Sequence, residues 1–162
     1  MKEAIANAGV FNLVIIFVII LLAFFVGSLS YSKAFKVKNK IVEEIEKDQE
    51  YVVTGKNSTE VRVEQWLKNI GYRVNTTNQS NAALCDSTVS GNGGSAGVLV
   101  NKNSNYQYCV YEFNTCEQNS DKSKCGKYYK VIAYMYFDVP VVGDLIKIPV
   151  KGETLTFTKI ES

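Results

Sequence analysis

Residues 10–50 read VFNLVIIFVIILLAFFVGSLSYSKAFKVKNKIVEEIEKDQE, and the fold turns on that stretch. Between Val10 and Val26 no side chain is charged, and Asn12 is the one polar group. Ile, Val, Leu and Phe dominate Leu13–Phe25. At 1.5 Å per residue, a helix over residues 10–29 covers about 30 Å, the thickness of a bilayer's hydrocarbon. Past that point the apolar residues narrow to a stripe. Ala34, Val37, Ile41 and Ile45 recur at helical spacing, flanked by Tyr31 and Phe35. Lys33, Lys36, Lys40, Glu43, Glu44 and Lys47 take the other faces, and neither proline nor glycine interrupts residues 28–50. The expectation is one continuous helix from near Lys2 to near Asp48, apolar all round and then amphipathic. Its first half suits lipid or partner helices, with Leu13, Ile16, Phe17, Ile20 and Phe24 as the candidate packing residues. Its second half needs a protein surface to cover the stripe.

A cleavable signal peptide competes with this anchor. Its apolar region is typically about 7–15 residues long, behind a basic leader. Here Lys2 is offset by Glu3, the apolar run is longer, and Ser28-Leu29-Ser30 resembles a cleavage site only weakly. The expected organisation is a short tail at 1–9, a transmembrane helix at 10–29, an amphipathic extension at 30–50 and a globular domain at 51–162.

The rest of the 162-residue chain has room for one domain of ordinary size. A second helix is expected at Thr59–Ile70, capped by Asn57 with Glu60 three positions on, and ended by Gly71. Val61, Val63, Trp66, Leu67 and Ile70 form its apolar side, which makes the single tryptophan a core anchor. Residues 75–97 are rich in Asn, Ser, Thr and Gly without periodicity, so a long surface loop is expected there. Beyond it, Gly97–Asn101, Tyr106–Phe113, Tyr128–Val139, Leu145–Val150 and Thr154–Ile160 carry the β-branched and aromatic residues of strands. Turn signals separate them at Asn103-Ser104-Asn105, Gly126, Val142-Gly143-Asp144 and Lys151-Gly152-Glu153. The connections are too short for parallel crossovers, so the sheet is expected to be antiparallel, with Tyr128–Val139 central beneath the helix. The fold class is therefore α+β: a long N-terminal helix packed on an antiparallel sheet.

Cys85, Cys109, Cys116 and Cys125 are an even set in a polar domain, which favours two disulfides and an oxidising compartment. Three connectivities are open. The favoured one closes a short loop with Cys116–Cys125 and pins the long loop to a strand with Cys85–Cys109. Zinc fits poorly, because no Cys-x2-Cys pair exists and the chain has no histidine. Charge points the other way on sidedness. Lys33, Lys36, Lys38 and Lys40 follow the span while only Lys2 precedes it, and positive residues favour the cytoplasmic side. The cysteines favour an extracytoplasmic domain; the lysines keep the inverted topology open.

Little invites catalysis. Without histidine the commonest general base is missing, and a net charge of +2 gives no basic face for nucleic acid. Gly91-Asn92-Gly93-Gly94 lacks the lysine of a phosphate loop and reads as flexible linker. Glu43, Glu44 and Glu46 read as a solvated helix face, and Asp138 and Asp144 as turn residues. Asn57, Asn75 and Asn78 begin N-x-S/T triplets, which arise often by chance in such composition. Tyr106, Tyr108, Tyr111, Tyr128, Tyr129, Tyr134 and Tyr136 read chiefly as cross-strand packing. No catalytic, cofactor or metal residues are expected.

Tyr31-Ser32-Lys33-Ala34-Phe35-Lys36-Val37-Lys38-Asn39-Lys40-Ile41 resembles the post-membrane stretch of TadE-like minor pilins of tight-adherence pilus systems. Tyr136-Phe137-Asp138-Val139-Pro140-Val141-Val142-Gly143, with Ile148-Pro149-Val150-Lys151-Gly152-Glu153-Thr154, is similar to their C-terminal strands. The resemblance implies a pilin-like fold, a non-enzymatic role in a bacterial surface filament or its assembly machine, and partners that are membrane and other pilin-like helices. One departure stands out. Processed pilins carry a glutamate five residues into the mature helix, whereas cleavage after Gly9 would put Val14 there. The alternative is a solitary anchored ligand-binding or sensor module that uses its loops at 75–97 and 116–125.

Overall fold

The structure, a computed structural model, describes residues 2–75, 81–91, 94–116, 125–137 and 146–158. Its elements are α1 (Lys2–Asp48), α2 (Thr59–Asn69), α3 (Asn81–Leu84), β1 (Thr88–Ser90), β2 (Ala96–Leu99), β3 (Tyr108–Asn114), β4 (Gly126–Phe137), β5 (Ile146–Glu153) and β6 (Phe157–Thr158). The expected long helix is one uninterrupted element of 47 residues. At 1.5 Å per residue it is about 70 Å long, more than twice the hydrocarbon thickness.

Every strand pair is antiparallel, in the order β1-β2-β3-β4-β5, with β6 paired to the start of β4. Alternation along β3 and β4 sorts side chains onto two faces. Tyr108, Val110, Tyr129, Val131 and Ala133 point toward α1 and α2, where they pack with Val37, Ile41, Ile45, Val63 and Leu67. Cys109, Tyr111, Phe113, Tyr128 and Ile132 form a second cluster with Cys85 and Leu99. The stripe read from the sequence is thus the helix's buried side: Val37, Ile41 and Ile45 are each 0% exposed. At about 1.5–3 kcal/mol for each large apolar side chain removed from water, this seam is what fastens the domain to α1.

α2 runs back along α1, and its ends are built from local chemistry. Ser58, not Asn57, is the N-cap: its hydroxyl accepts from the Val61 amide at 3.3 Å. At the other end Gly71 adopts a left-handed φ of +59°. The Tyr72 amide donates to Leu67 O and the Gly71 amide to Lys68 O, the paired bonds of a Schellman stop. Trp66 is half-buried, packed against the edge of the core rather than anchoring it.

Two expectations about the sheet need correction. Lys151-Gly152-Glu153 is not a turn: β5 runs through it, with Gly152 opposite Val131. The glycine is there because α1 comes close, and a Cβ at 152 would sit 2.3 Å from Lys38 Cδ. The long loop also contains order. α3 and β1 lie within it, and Gly91 is packed rather than a linker, since its Cβ would meet the Phe113 ring at 2.4 Å. Asp138, Pro140, Val142-Gly143-Asp144, Asn78, Asn92-Gly93, residues 117–124 and residues 159–160 of the last expected strand lie outside the described residues.

Candidate functional site

Two regions hold the chemistry: the uncovered half of α1, and the joint where α1 meets the domain. The anchor residues face outward. Leu13, Ile16, Phe17, Ile20 and Phe24 are 68, 58, 58, 47 and 74% exposed, so no part of the domain covers them. By length and composition this helix can cross a membrane.

The joint is clamped by charge. Arg62 of α2 donates from Nε to Glu44 at 2.8 Å, from Nη1 to Asn57 O at 2.6 Å, and from Nη2 to Asp48. Lys40 bridges Glu43 and Glu44 at 3.0 Å each, and Thr59 donates to Asp48 at 2.7 Å. The Arg62 bond holds the Glu44 carboxyl below its ordinary range, and Thr59 and Arg62 do the same for Asp48. Glu43 and Glu46 lie on the exposed face expected of them, but Glu44 does not. Glu44 is only 7% exposed, and Glu46 accepts from the Leu155 amide.

Deeper in, the Tyr51 and Tyr108 hydroxyls pair at 2.8 Å. Burial raises both phenols. Beside them, burial and then the charge of Glu64 push the Glu60 carboxyl up to about 7. Tyr72 donates to Gln107 O and Tyr134 O, tying the end of α2 to β4. Tyr111 and Tyr129 are buried, Tyr128 nearly so, and Tyr106 and Tyr134 partly. They serve packing and hydrogen bonding, as the strand pattern implied.

On the far face, Cys85 is bonded to Cys109 with their Cα atoms 5.9 Å apart. This fixes α3 over the sheet, together with buried asparagines of which the sequence had singled out only Asn75. Asn81 and Asn101, both 0% exposed, donate to Tyr108 O at 2.7 and 2.8 Å, and Asn101 accepts from the Val110 amide. Asn75 donates to Asn81 Oδ1 and Ser104 O. Both hydrogens of its amide are so engaged, and a glycan there would displace one of them. Asn57 is exposed. Composition hides such asparagines, because a buried amide and a loop amide look alike in sequence.

Cys116 and Cys125 are not joined to each other. They line one pocket of about 710 Å³ at the far end of α1, with Asp48, Gln49, Glu50, Lys127 and Phe157. Among the described residues no group of three His, Cys, Asp or Glu could hold a metal ion.

No family model, no curated protein and no solved structure matches the chain. The structure itself defines the class: an α+β domain whose first helix extends from its core as a bare apolar rod able to cross a membrane.

Proposed function

We propose that this is a membrane-anchored, non-enzymatic, pilin-like surface protein, a minor subunit or assembly component of a bacterial pilus. One observation carries the proposal: a single unbroken helix is core element over Ala34–Ile45 and uncovered apolar rod over Val10–Leu29. A tethered domain needs only a flexible linker after its span. A subunit that packs helix against helix gains from rigid continuity, because the helix bundle then fixes the orientation of every domain. The TadE-like residues at Tyr31–Ile41 fall on this joint.

The domain is extracytoplasmic in this proposal. The buried Cys85–Cys109 bond supports that side, since such bonds persist in oxidising compartments. A phosphatase reporter that matures only under oxidising conditions, fused after Ser162, should be active; an inactive fusion reverses the topology. Photo-crosslinking residues placed at Leu13, Phe17, Ile20 and Phe24 should give adducts with other pilin-like helices in native membranes. A strict monomer at all four positions supports the solitary binding module instead.

A further inference from the structure

A row of hydroxyls with a carboxyl at each end joins α2 to the turn between β2 and β3. Glu60 and Glu64, one helical turn apart on α2, are its two ends. The Tyr51 and Tyr108 hydroxyls pair at 2.8 Å, and Ser104 donates to Glu64 Oε1 at 2.8 Å. Tyr51 in turn hydrogen-bonds toward the Glu60 carboxyl, and Ser104 toward the Tyr108 hydroxyl. Tyr51, Tyr108 and Ser104 are 5, 0 and 1% exposed, so water does not interrupt the row. Glu60 is its weak end. Its Oε1 is enclosed and has no hydrogen-bond partner among the described residues.

Each element packed at this point contributes ionisable groups. α2 brings Glu64, the segment after α1 brings Tyr51, and β3 brings Tyr108. The turn brings Tyr106, raised by burial and then by Glu64, and Lys102, which is exposed. The carboxylates of α1 on this side, Glu44 and Asp48, are held by Arg62. Burial and then Glu64 raise the Glu60 carboxyl to about 7, with Tyr51 acting the other way.

Hydrogens decide what the row can do. A hydroxyl donates once, and an ionised carboxyl only accepts. Four links run Glu60–Tyr51–Tyr108–Ser104–Glu64, and the three hydroxyls supply three hydrogens. Carboxylates at both ends therefore leave one link empty. A proton on Glu60 fills it and turns every donor toward Glu64. An empty link in a buried row is costly, so its position matters. It falls at the Glu64 end: an ionised Glu60 has an enclosed oxygen to satisfy, whereas Glu64 still accepts from the Asn105 amide at 3.4 Å. Each hydroxyl then turns toward Glu60, and Ser104 lets go of Glu64.

We infer that Glu60 and Glu64 hold one proton between them through these hydroxyls, and that its release to solvent unfastens the β2–β3 turn from α2. Ser104 Oγ also accepts from the Tyr106 amide at 3.2 Å, and Asn105 O accepts from the Asn75 amide at 2.7 Å, so the chain leaving α2 is tied to the same turn. The inference holds for either orientation of the chain and does not depend on filament membership.

The test is hydrogen exchange of the full chain in neutral detergent, read at the Asn105 and Tyr106 amides at pH 5.5 and 8.5 and corrected for intrinsic rates. In the wild type, protection should fall about two- to tenfold at the higher pH, the range that one hydrogen bond is worth. Glu60→Gln supplies a permanent donor and should keep the pH 5.5 value at both. Ser104→Ala removes the hydroxyl that Glu64 grips and should show the lower value at both. Tyr51→Phe cuts the row but leaves Glu60 beside Glu64, and should make protection independent of pH. A fall that persists in Tyr51→Phe assigns the effect to direct repulsion between the carboxyls or to overall stability, and overturns the inference. An unchanged wild type, a fall retained in Glu60→Gln, or full protection in Ser104→Ala overturns it as well.

Discussion

At Glu60 a carboxyl has been taken into the tyrosine cluster, and its pH response follows from that. Its folded value is about 7, against an ordinary 4.5. The native state therefore holds a proton that the unfolded chain has released over that window, and stability falls as pH rises from about 4.5 to 7. Glu60→Gln removes this loss. It should leave stability unchanged at pH 4 and raise it by about 1 kcal/mol at pH 8, the full linkage value being reduced by solvent screening at a half-buried group. Denaturant titrations of the full chain at the two pH values check this; a uniform shift at both would refute it. Gly97 is a second residue-scale constraint. A Cβ there would meet the Phe113 ring at 2.3 Å, and that ring is stacked 4.7 Å from Tyr128 with no exposed surface. Gly97→Ala should destabilise by about 1–3 kcal/mol through overpacking, seen as a lowered midpoint with unchanged secondary structure. Neither residue was legible beforehand. Glu60 looked like half of a capping box, and Gly97 like the junction of a loop and a strand with no sign of the ring above it, because sequence shows neither neighbours nor burial.

Elements were legible wherever periodicity carried them and illegible wherever a neighbour decided. The stripe Ala34-Val37-Ile41-Ile45 gave α1 its buried side, and β-branched runs located β2, β3, β4 and β5, though not their exact ends. The turn expected at Gly152 was lost because local composition cannot distinguish a turn glycine from one beneath a helix. α3 escaped because its order comes from the Asn81–Tyr108 bond and a disulfide, and β1 because its order comes from pairing with β2, not from their own residues. The joint between α1 and α2 is the element-scale device with the most at stake. Arg62→Ala leaves Glu44 and Asp48 without their shared cation, at positions only partly reached by water. It should cost about 2–3 kcal/mol, somewhat below the cost of breaking a fully buried pair. Because both carboxyls are held low, their contribution is full at neutral pH and is lost as pH falls through the acid range. The wild type and Arg62→Ala should therefore converge in stability as pH falls below the ordinary carboxylate range and both groups protonate. A gap that stays constant until the native state itself is lost to acid would show that Arg62 acts by packing alone.

For the whole molecule, the two faces of the sheet are secured in different ways, and that makes them separable. The α1 face is held by the apolar seam and the Arg62 clamp; the opposite face relies on a smaller cluster and the Cys85–Cys109 bond across 24 residues. Loop-closure entropy for that span is worth about 3 kcal/mol. Replacing both cysteines by alanine should lower stability by that amount, with hydrogen exchange rising over 81–90 and staying slow over 34–48. Along the helix the division is sharper still. The first apolar side chain of the core is Ala34, and Val10–Leu29 contributes nothing to it. Removal of residues 1–29 should therefore give a water-soluble domain whose melting temperature stays within a few degrees of the full chain in detergent. Removal through Lys47 deletes Ala34, Val37, Ile41, Ile45 and Glu44 together and should leave no cooperative transition by circular dichroism. If the shorter truncation also unfolds, the rod supports the domain thermodynamically. If it folds, rod and domain are energetically independent, and the unbroken backbone between them serves mechanics, passing any tilt or rotation of the membrane half directly into the sheet.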